Sequence, residues 1–586
     1  MTLLAGAFAL VAGDTIDDAW VDALRQNLSR HPQDEVVVER AADAVLMAVD
    51  IGVLGGSGVV RDGGVTVMAG EPLMRDAAGT RFDALKRLHA GFPGNQDMLR
   101  TADGQYALAH YDGDRRELVL ITDRLGIRPL FVWADERRVV FASALRVLER
   151  LPGIPKRLDL RGLTEEGGIG YPLADRTAYE GIRRLPAATR LSFRDGRAEE
   201  TRYWRWDRDV PLRAASDDAV EETRARLVTA VRRRLRGNRA TVAMLSGGLD
   251  SRCIVSLLVQ QGIDVRTLNF SYAVTQDQSL ARAFAAAAGT RHFELHRPSR
   301  TADWTAFAAS AVDREPTIGE GVERPRVIWS GDGGSVGLGL VYMDEALCAS
   351  LRTDGIAAGL DHYLAAESFA VPRVFRATIA ARLSAALRSS IRAEVEIHDC
   401  DDPARAFHLF LMHNDQRRHL THHFENIDVN RVEYLLPLLD GHVLELILAL
   451  PVDALLRHAF YHRLVERLGA PANAVPWQTY PGHLPCPISG IANGSPQWSE
   501  SASREHKAWR TRTAVRNGMR MVRARQFPGE LLSRWRVGLV TAATAFRLRD
   551  YTYAIEHADL VQRYWQNCAV PRPDARNSSP HDGESR

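Results

Sequence analysis

The sequence predicts a chain of mixed α/β and α+β class, with a β-rich N-terminal part followed by a parallel-sheet unit and a helical C-terminal part. Three observations predict it. Short alternating apolar runs separated by Gly/Asp turns fill residues 1–205. Residues 246–251 read Ser-Gly-Gly-Leu-Asp-Ser between the apolar run 240–245 and a helical pattern from Arg252 to Leu258. A second strand (264–270) and a second helix (278–289) follow, making the βαβ alternation of a parallel sheet.

In chain order, the run from Leu3 to Gly13 has no Lys or Arg before it, so it reads as a first strand and not as a signal peptide. Val36–Val38, Val65–Met68, Glu117–Ile121 and Val139–Phe141 read as further strands of a first domain, 1–205. The second domain, 215–500, carries the glycine loop. There a strand ends, Gly247 and Gly248 let the backbone approach an anion, and Ser246, Leu249, Asp250 and Ser251 lead into a helix N-terminus. The carboxyl ends of its strands leave a ligand slot, and Leu268, at the end of the second strand, is a candidate cofactor-binding residue. From about 340 to 470 the pattern is mostly helical. The run from Leu435 to Leu456 is broken by Asp440, His442, Glu445 and Asp453, so it reads as a core helix and not a membrane span. A Pro/Gly-rich loop, Val475–Gly494, closes the domain. A basic helical extension, 501–570, then interleaves Arg504, Lys507, Arg510, Arg512, Arg516, Arg520, Arg523 and Arg525 with Trp509, Val515, Met519 and Val522. It reads as an amphipathic helix with a solvated arginine face, or else as a docking surface for an acidic peptide or a phosphate. Residues 571–586 read as a disordered tail.

Composition sets the class. With 45% hydrophobic and 25% charged residues the chain can bury sizeable cores, and a net charge of +2 argues against coating nucleic acid. Its five cysteines stand singly, the pattern of a reducing cytoplasm. No membrane or nucleic-acid partner is expected.

The hexapeptide at 246–251 resembles the PP-loop of ATP pyrophosphatases, enzymes that split ATP between its α and β phosphates. The resemblance implies ATP and Mg²⁺ as cofactors, Ser246 and Ser251 on pyrophosphate, and Asp250 on the metal. Asp103–Ala109, Asp123–Phe131, Phe141–Ser143 and Tyr179–Ile182 with Leu185–Ala187 resemble the class II glutaminase half of asparagine synthetases. That family implies an Ntn-hydrolase-like αββα sandwich whose nucleophile is a Cys after the initiator Met. Thr2 stands there, and only Met68–Glu71 faintly resembles a glutamine-recognition signature. A catalytically dead glutaminase-like domain is expected.

A second glycine motif, Ser330-Gly331-Asp332-Gly333-Gly334-Ser335, is similar to the synthetases' second phosphate loop. The family's metal-binding Asp falls on Ser335, so either Asp332 takes that role or the metal relies on Asp250 and the phosphates. Val432 to Asp440 resembles the family's Val-Glu-x-Arg-x-Pro-Phe-Leu-Asp, which aligns Glu433 with an acid near the acyl-adenylate. Glu433 and Asp332 are the candidate catalytic residues; for Glu433 the alternative is a salt bridge. Leu435 replaces the motif's Arg, which disfavours a small doubly charged substrate such as aspartate. The family's lysine after the helix near 475–482 has no counterpart, leaving Arg252, Arg431 or His483 as candidate cations. His413, His419, His422 and His423 read as solvated or substrate-lining groups, with a zinc site as the alternative.

The resemblance is greatest to lasso peptide macrolactam cyclases. It implies ATP-dependent adenylation of a side-chain carboxylate on a precursor peptide, ring closure by an amine, and a companion leader peptidase and precursor-recognition protein. A β-lactam-synthetase-like or asparagine-synthetase-like ligase on a small substrate, and a non-catalytic scaffold, are the alternatives.

Overall fold

The computed structural model describes residues 2–75, 79–92, 94, 97–271, 275–296, 326–365, 369–490, 494, 496 and 504–569. The tail assigned to 571–586 lies outside the described residues.

The N-terminal domain is built from two antiparallel six-stranded sheets. One runs Ile182–Arg184, Phe131–Ala134, Arg138–Ala142, Leu3–Ala9, Ala44–Val49, Val36–Arg40 in spatial order. The other runs Arg197–Arg202, Thr189–Arg194, Glu117–Thr122, Tyr106–Asp112, Val65–Gly70, Val59–Arg61. The two-residue period of each strand sends its side chains alternately inward and outward. Leu4, Phe8, Leu46, Ala107, Leu120 and Phe141 meet between the sheets. Leu3, Ala5, Met47, Met68 and Leu108 face outward against helices, including Asp18–Leu28 through Leu24 and Arg81–Ala90 through Leu85. The layers are therefore helix, sheet, sheet, helix, as the sequence predicted.

The second domain holds a fully parallel five-stranded sheet ordered Arg291–His296, Asp264–Ser271, Ala240–Met244, Arg326–Trp329, Val432–Leu435. The chain builds outward from Ala240–Met244 in one direction, then returns to build in the other. The strand order reverses beside Ala240–Met244, and that reversal opens a crevice outside the carboxyl ends of the strands. Both glycine motifs begin there.

The run Leu435–Leu456 is not one helix. It comprises the end of a strand, a 3₁₀ turn (Pro437–Leu439), helix Gly441–Ile447 and the short helix Val452–Leu455. Pro437 and Pro451 lack the amide that a continuous helix requires. The basic extension is a three-helix unit, Arg504–Arg523, Arg534–Ala545 and Thr552–Ala569.

Candidate functional site

Strand Ala240–Met244 delivers the loop 246–251 into helix Leu249–Gln260, whose N-cap, Gly248, offers no side-chain cap. The first-turn amides of that helix point out of the sheet's carboxyl edge without intrahelical partners. The loop is braced by its own hydroxyls. The Ser246 amide donates to Ser251 Oγ at 2.9 Å, the two hydroxyls lie 3.0 Å apart, and the Gly248 amide donates to Ser246 Oγ at 3.2 Å. The Gly247 amide donates to Asp277 Oδ1 at 2.6 Å. A Cβ on Gly247 would press on Asp277 and Leu280 at 3.1 Å, so close packing keeps this position small.

Strand Arg326–Trp329 delivers the second motif against the first. A Cβ on Gly331 would lie 2.6 Å from the backbone of Asp250 and Ser251, and one on Gly334 would lie 2.4 Å from Asp250 Oδ1. Gly333 takes φ +101°, a conformation that favours glycine. These glycines let the two loops touch. Asp250 sits at the contact, accepting from Tyr461 Oη at 2.7 Å and from the Ser335 hydroxyl. Burial pushes its carboxyl up to about 6. Ser335 thus orients Asp250 and does not replace it. Asp332 has different partners: it accepts from Ser330 Oγ and lies 3.3 Å from His419 Nε2. Against the upward push of burial, His419 and Ser330 hold the Asp332 carboxyl below its usual range. The same contact raises the His419 imidazole above its usual value.

One cavity of about 450 Å³ joins these groups. Ser246, Asp250, Ser251, Leu268, Gly331, Asp332, Gly333 and Ser335, all named from the sequence as candidate site residues, line it. Gly247, Gly248, Leu249 and Gly334 shape the loops without lining it; Leu249 is buried in the core. Sequence reasoning missed Asn269, Asp277, Asp415, Gln416 and Tyr480. Asp415 and Gln416 belong to a π-helical turn, Met412–Gln416, which has no sequence signature. The histidine cluster disperses: His419 lines the cavity, the half-buried His413 packs on His398, His422 is exposed and His423 packs on Tyr434.

Glu433 is a correction. It does not line the cavity; its side chain is 1% exposed and pairs with Arg128 of the N-terminal domain. The strand's alternation turns Glu433 toward that domain. Arg128 also lies over the Phe424 ring at 4.2 Å. None of the three candidate cations lines the cavity either. Arg252 is fully buried and donates to the carbonyls of Ala472, Val475 and Pro476; Arg431 pairs with Asp34; His483 packs on His458. Among the described lining residues, His419 is the one basic side chain.

In the N-terminal domain Thr2 is 2% exposed, and its hydroxyl bonds the backbone, donating to Val49 O and accepting from Ile51 N, both at 3.3 Å. Glu71 is held by Arg236 across the domain boundary. The neighbouring cavity, lined by Glu71, Arg81, Arg87 and Arg233, includes neither Thr2 nor a cysteine among its described lining residues.

Both halves of the chain are similar to known families. Residues 86–204 match a glutamine amidotransferase domain, and residues 222–320 match asparagine synthase. The glutamine-hydrolysing asparagine synthetase 3 of Bacillus subtilis (strain 168) is 30% identical across 29% of this chain and 28% of its own length. A putative asparagine synthetase of Mycobacterium bovis is 29% identical across 33% of this chain and 31% of its own. The amidase chry2 of Gibberella zeae is 28% identical across 27% of this chain and 24% of its own. The similar stretches thus span between 24 and 31% of these relatives' lengths.

Proposed function

We propose that the chain is an ATP-dependent, AMP-forming carbon–nitrogen ligase of asparagine-synthetase type that does not draw its nitrogen from glutamine. The observation that carries this reading is the pair of glycine loops meeting at Asp250 across the crevice at the strand-order reversal. Phosphate oxygens are served there by uncapped helix amides and by the hydroxyls of Ser246 and Ser251. Asp250 suits a divalent cation, because burial works against its charge and Ser335 and Tyr461 fix its orientation. Bound Mg²⁺ would neutralise the phosphate oxygens and polarise the bond between the α and β phosphates. The hydrogen bond to Asp332 favours the protonated form of His419, which would offer positive charge to the departing pyrophosphate.

The substrate carboxylate is proposed to reside on a larger molecule, and the finer reading is ring closure within a precursor peptide. No Arg or Lys lines the cavity among the described residues, and Leu435 is buried and does not line it, so a free dicarboxylate lacks a guanidinium clamp. The named relatives favour the asparagine-synthetase-like alternative on a small substrate. Incubation with Mg²⁺, ATP and either free aspartate or glutamate plus ammonium, or peptides bearing Asp or Glu side chains and a free amine, distinguishes the two. A peptide losing one water as AMP forms supports the first reading; amidation of the free amino acid supports the second.

Two smaller effects follow. His419→Gln keeps bulk but removes the cation, and is expected to slow AMP formation by roughly 10²-fold with little change in melting temperature. An unchanged rate removes His419 from the reaction. Thr2→Ala is expected to leave product formation unchanged, and the parent should release no glutamate from glutamine. Glutamate release that disappears in the variant contradicts the inert-glutaminase reading.

A further inference from the structure

The C-terminal helical unit carries a concentration of charge and exposed apolar surface that the ligase reading does not use. Residues 504–569 hold thirteen Lys/Arg against five Asp/Glu, a net of +8, whereas the whole chain is only +2. Half of the exposed large hydrophobics among the described residues are here: Met519 at 44%, Trp535 at 72%, Leu539 at 53%, Phe546 at 77% and Leu548 at 80%.

They are ordered. On helix Arg534–Ala545 the buried face is Val537, Val540, Thr541 and Thr544. Trp535, Leu539, Ala542 and Phe546 form an outward stripe at i, i+4, i+7, i+11. Helix Arg504–Arg523 packs directly alongside, where Gly518 leaves room for Thr541. It presents Arg512, Arg516, Met519 and Arg523 outward at the same spacing. Arg510 and Arg520 are engaged with Glu556 and Asp559. Arg512, Arg516 and Arg523 have no carboxylate partner among the described residues.

We infer that this face docks on the surface of an anionic phospholipid bilayer. The apolar side chains are 44–80% exposed and line none of five cavities among the described residues, so they stand out as a ridge and not as the floor of a peptide groove. A planar interface accepts a projecting Trp, Phe and Leu ridge at the headgroup boundary, while flanking guanidinium groups meet lipid phosphates. Self-association through this face is opposed by the +8 net charge of the unit that carries it. No spanning segment is involved: among the described residues no helix is long and apolar enough to cross a membrane. The sequence-based expectation of no membrane rested on that same absence, which does not speak to surface docking.

The test is flotation of the full chain with vesicles of phosphatidylcholine alone and of phosphatidylcholine mixed with phosphatidylglycerol. The expected result is flotation with the mixed vesicles only, weakened ~10-fold or more by high salt and by Trp535→Ser with Phe546→Ser. Arg512→Gln, Arg516→Gln and Arg523→Gln together should abolish the preference for phosphatidylglycerol. All variants change exposed residues, so their melting temperatures should match the parent's, and AMP formation in solution should be retained. The inference is overturned if the parent does not float with mixed vesicles, or if parent and variants float equally. It is also overturned if lipid-free sedimentation reveals a parent dimer that Trp535→Ser with Phe546→Ser dissolves, which would make the face a self-interface.

Discussion

Asp250→Asn is expected to reduce pyrophosphate exchange into ATP by on the order of 10³-fold or more while the protein stays folded. The magnitude corresponds to about 4 kcal/mol of lost charge stabilisation around the phosphates. Stability should move little, and upward if at all. The buried carboxyl is destabilised as an anion, which is why its pKa lies near 6, and a neutral amide removes that cost. Tyr461 retains an acceptor in the Asn oxygen. Paired measurements of exchange rate and melting temperature separate this outcome from a packing defect, in which both would fall. Near-parent exchange would remove Asp250 from the nucleotide site.

The largest stability effect is expected at the domain boundary. Arg128→Ala leaves Glu433 buried and unpaired, and breaking such a pair costs about 3–5 kcal/mol. Calorimetric or denaturant unfolding of the variant checks this. Replacing both residues with apolar groups of similar volume should recover much of the loss, because neither charge is then stranded. Glu433→Gln distinguishes framework from chemistry. As part of the Arg128 pair it lowers the melting temperature and weakens adenylation and amide formation together. If Glu433→Gln instead preserves stability and pyrophosphate exchange but slows amide formation by ~10²–10⁴, Glu433 acts as a base and the boundary role is wrong.

The nucleotide loop is legible in the sequence because its determinants are contiguous. Two glycines, two hydroxyls and one carboxylate lie within six residues directly after an apolar strand, so the motif is visible without its distant partners. The αββα layers follow from the glutaminase-like resemblance of the first domain; its central strands are buried on both faces, so the sequence marks them as short apolar runs between turns. What is not legible depends on distant parts. Tyr461 reaches Asp250 from a helix more than two hundred residues away, and His419 reaches Asp332 from the short helix that follows a π-helical turn. The sequence pattern placed Glu433 near the chemistry, but strand alternation decides which face it takes, and here that face belongs to Arg128. The apolar stretch after Leu435 misled because hydrophobicity alone cannot distinguish one helix from a strand, a 3₁₀ turn and two short helices broken at prolines.

The most direct test of the central claim is the identity of the nucleotide product. With Mg²⁺, ATP and a competent carboxylate substrate, separation of the reaction mixture should yield AMP and pyrophosphate in equal amounts, one of each per amide formed, and neither from Asp250→Asn. ADP and phosphate as the products, or AMP formed equally by parent and variant, would contradict it.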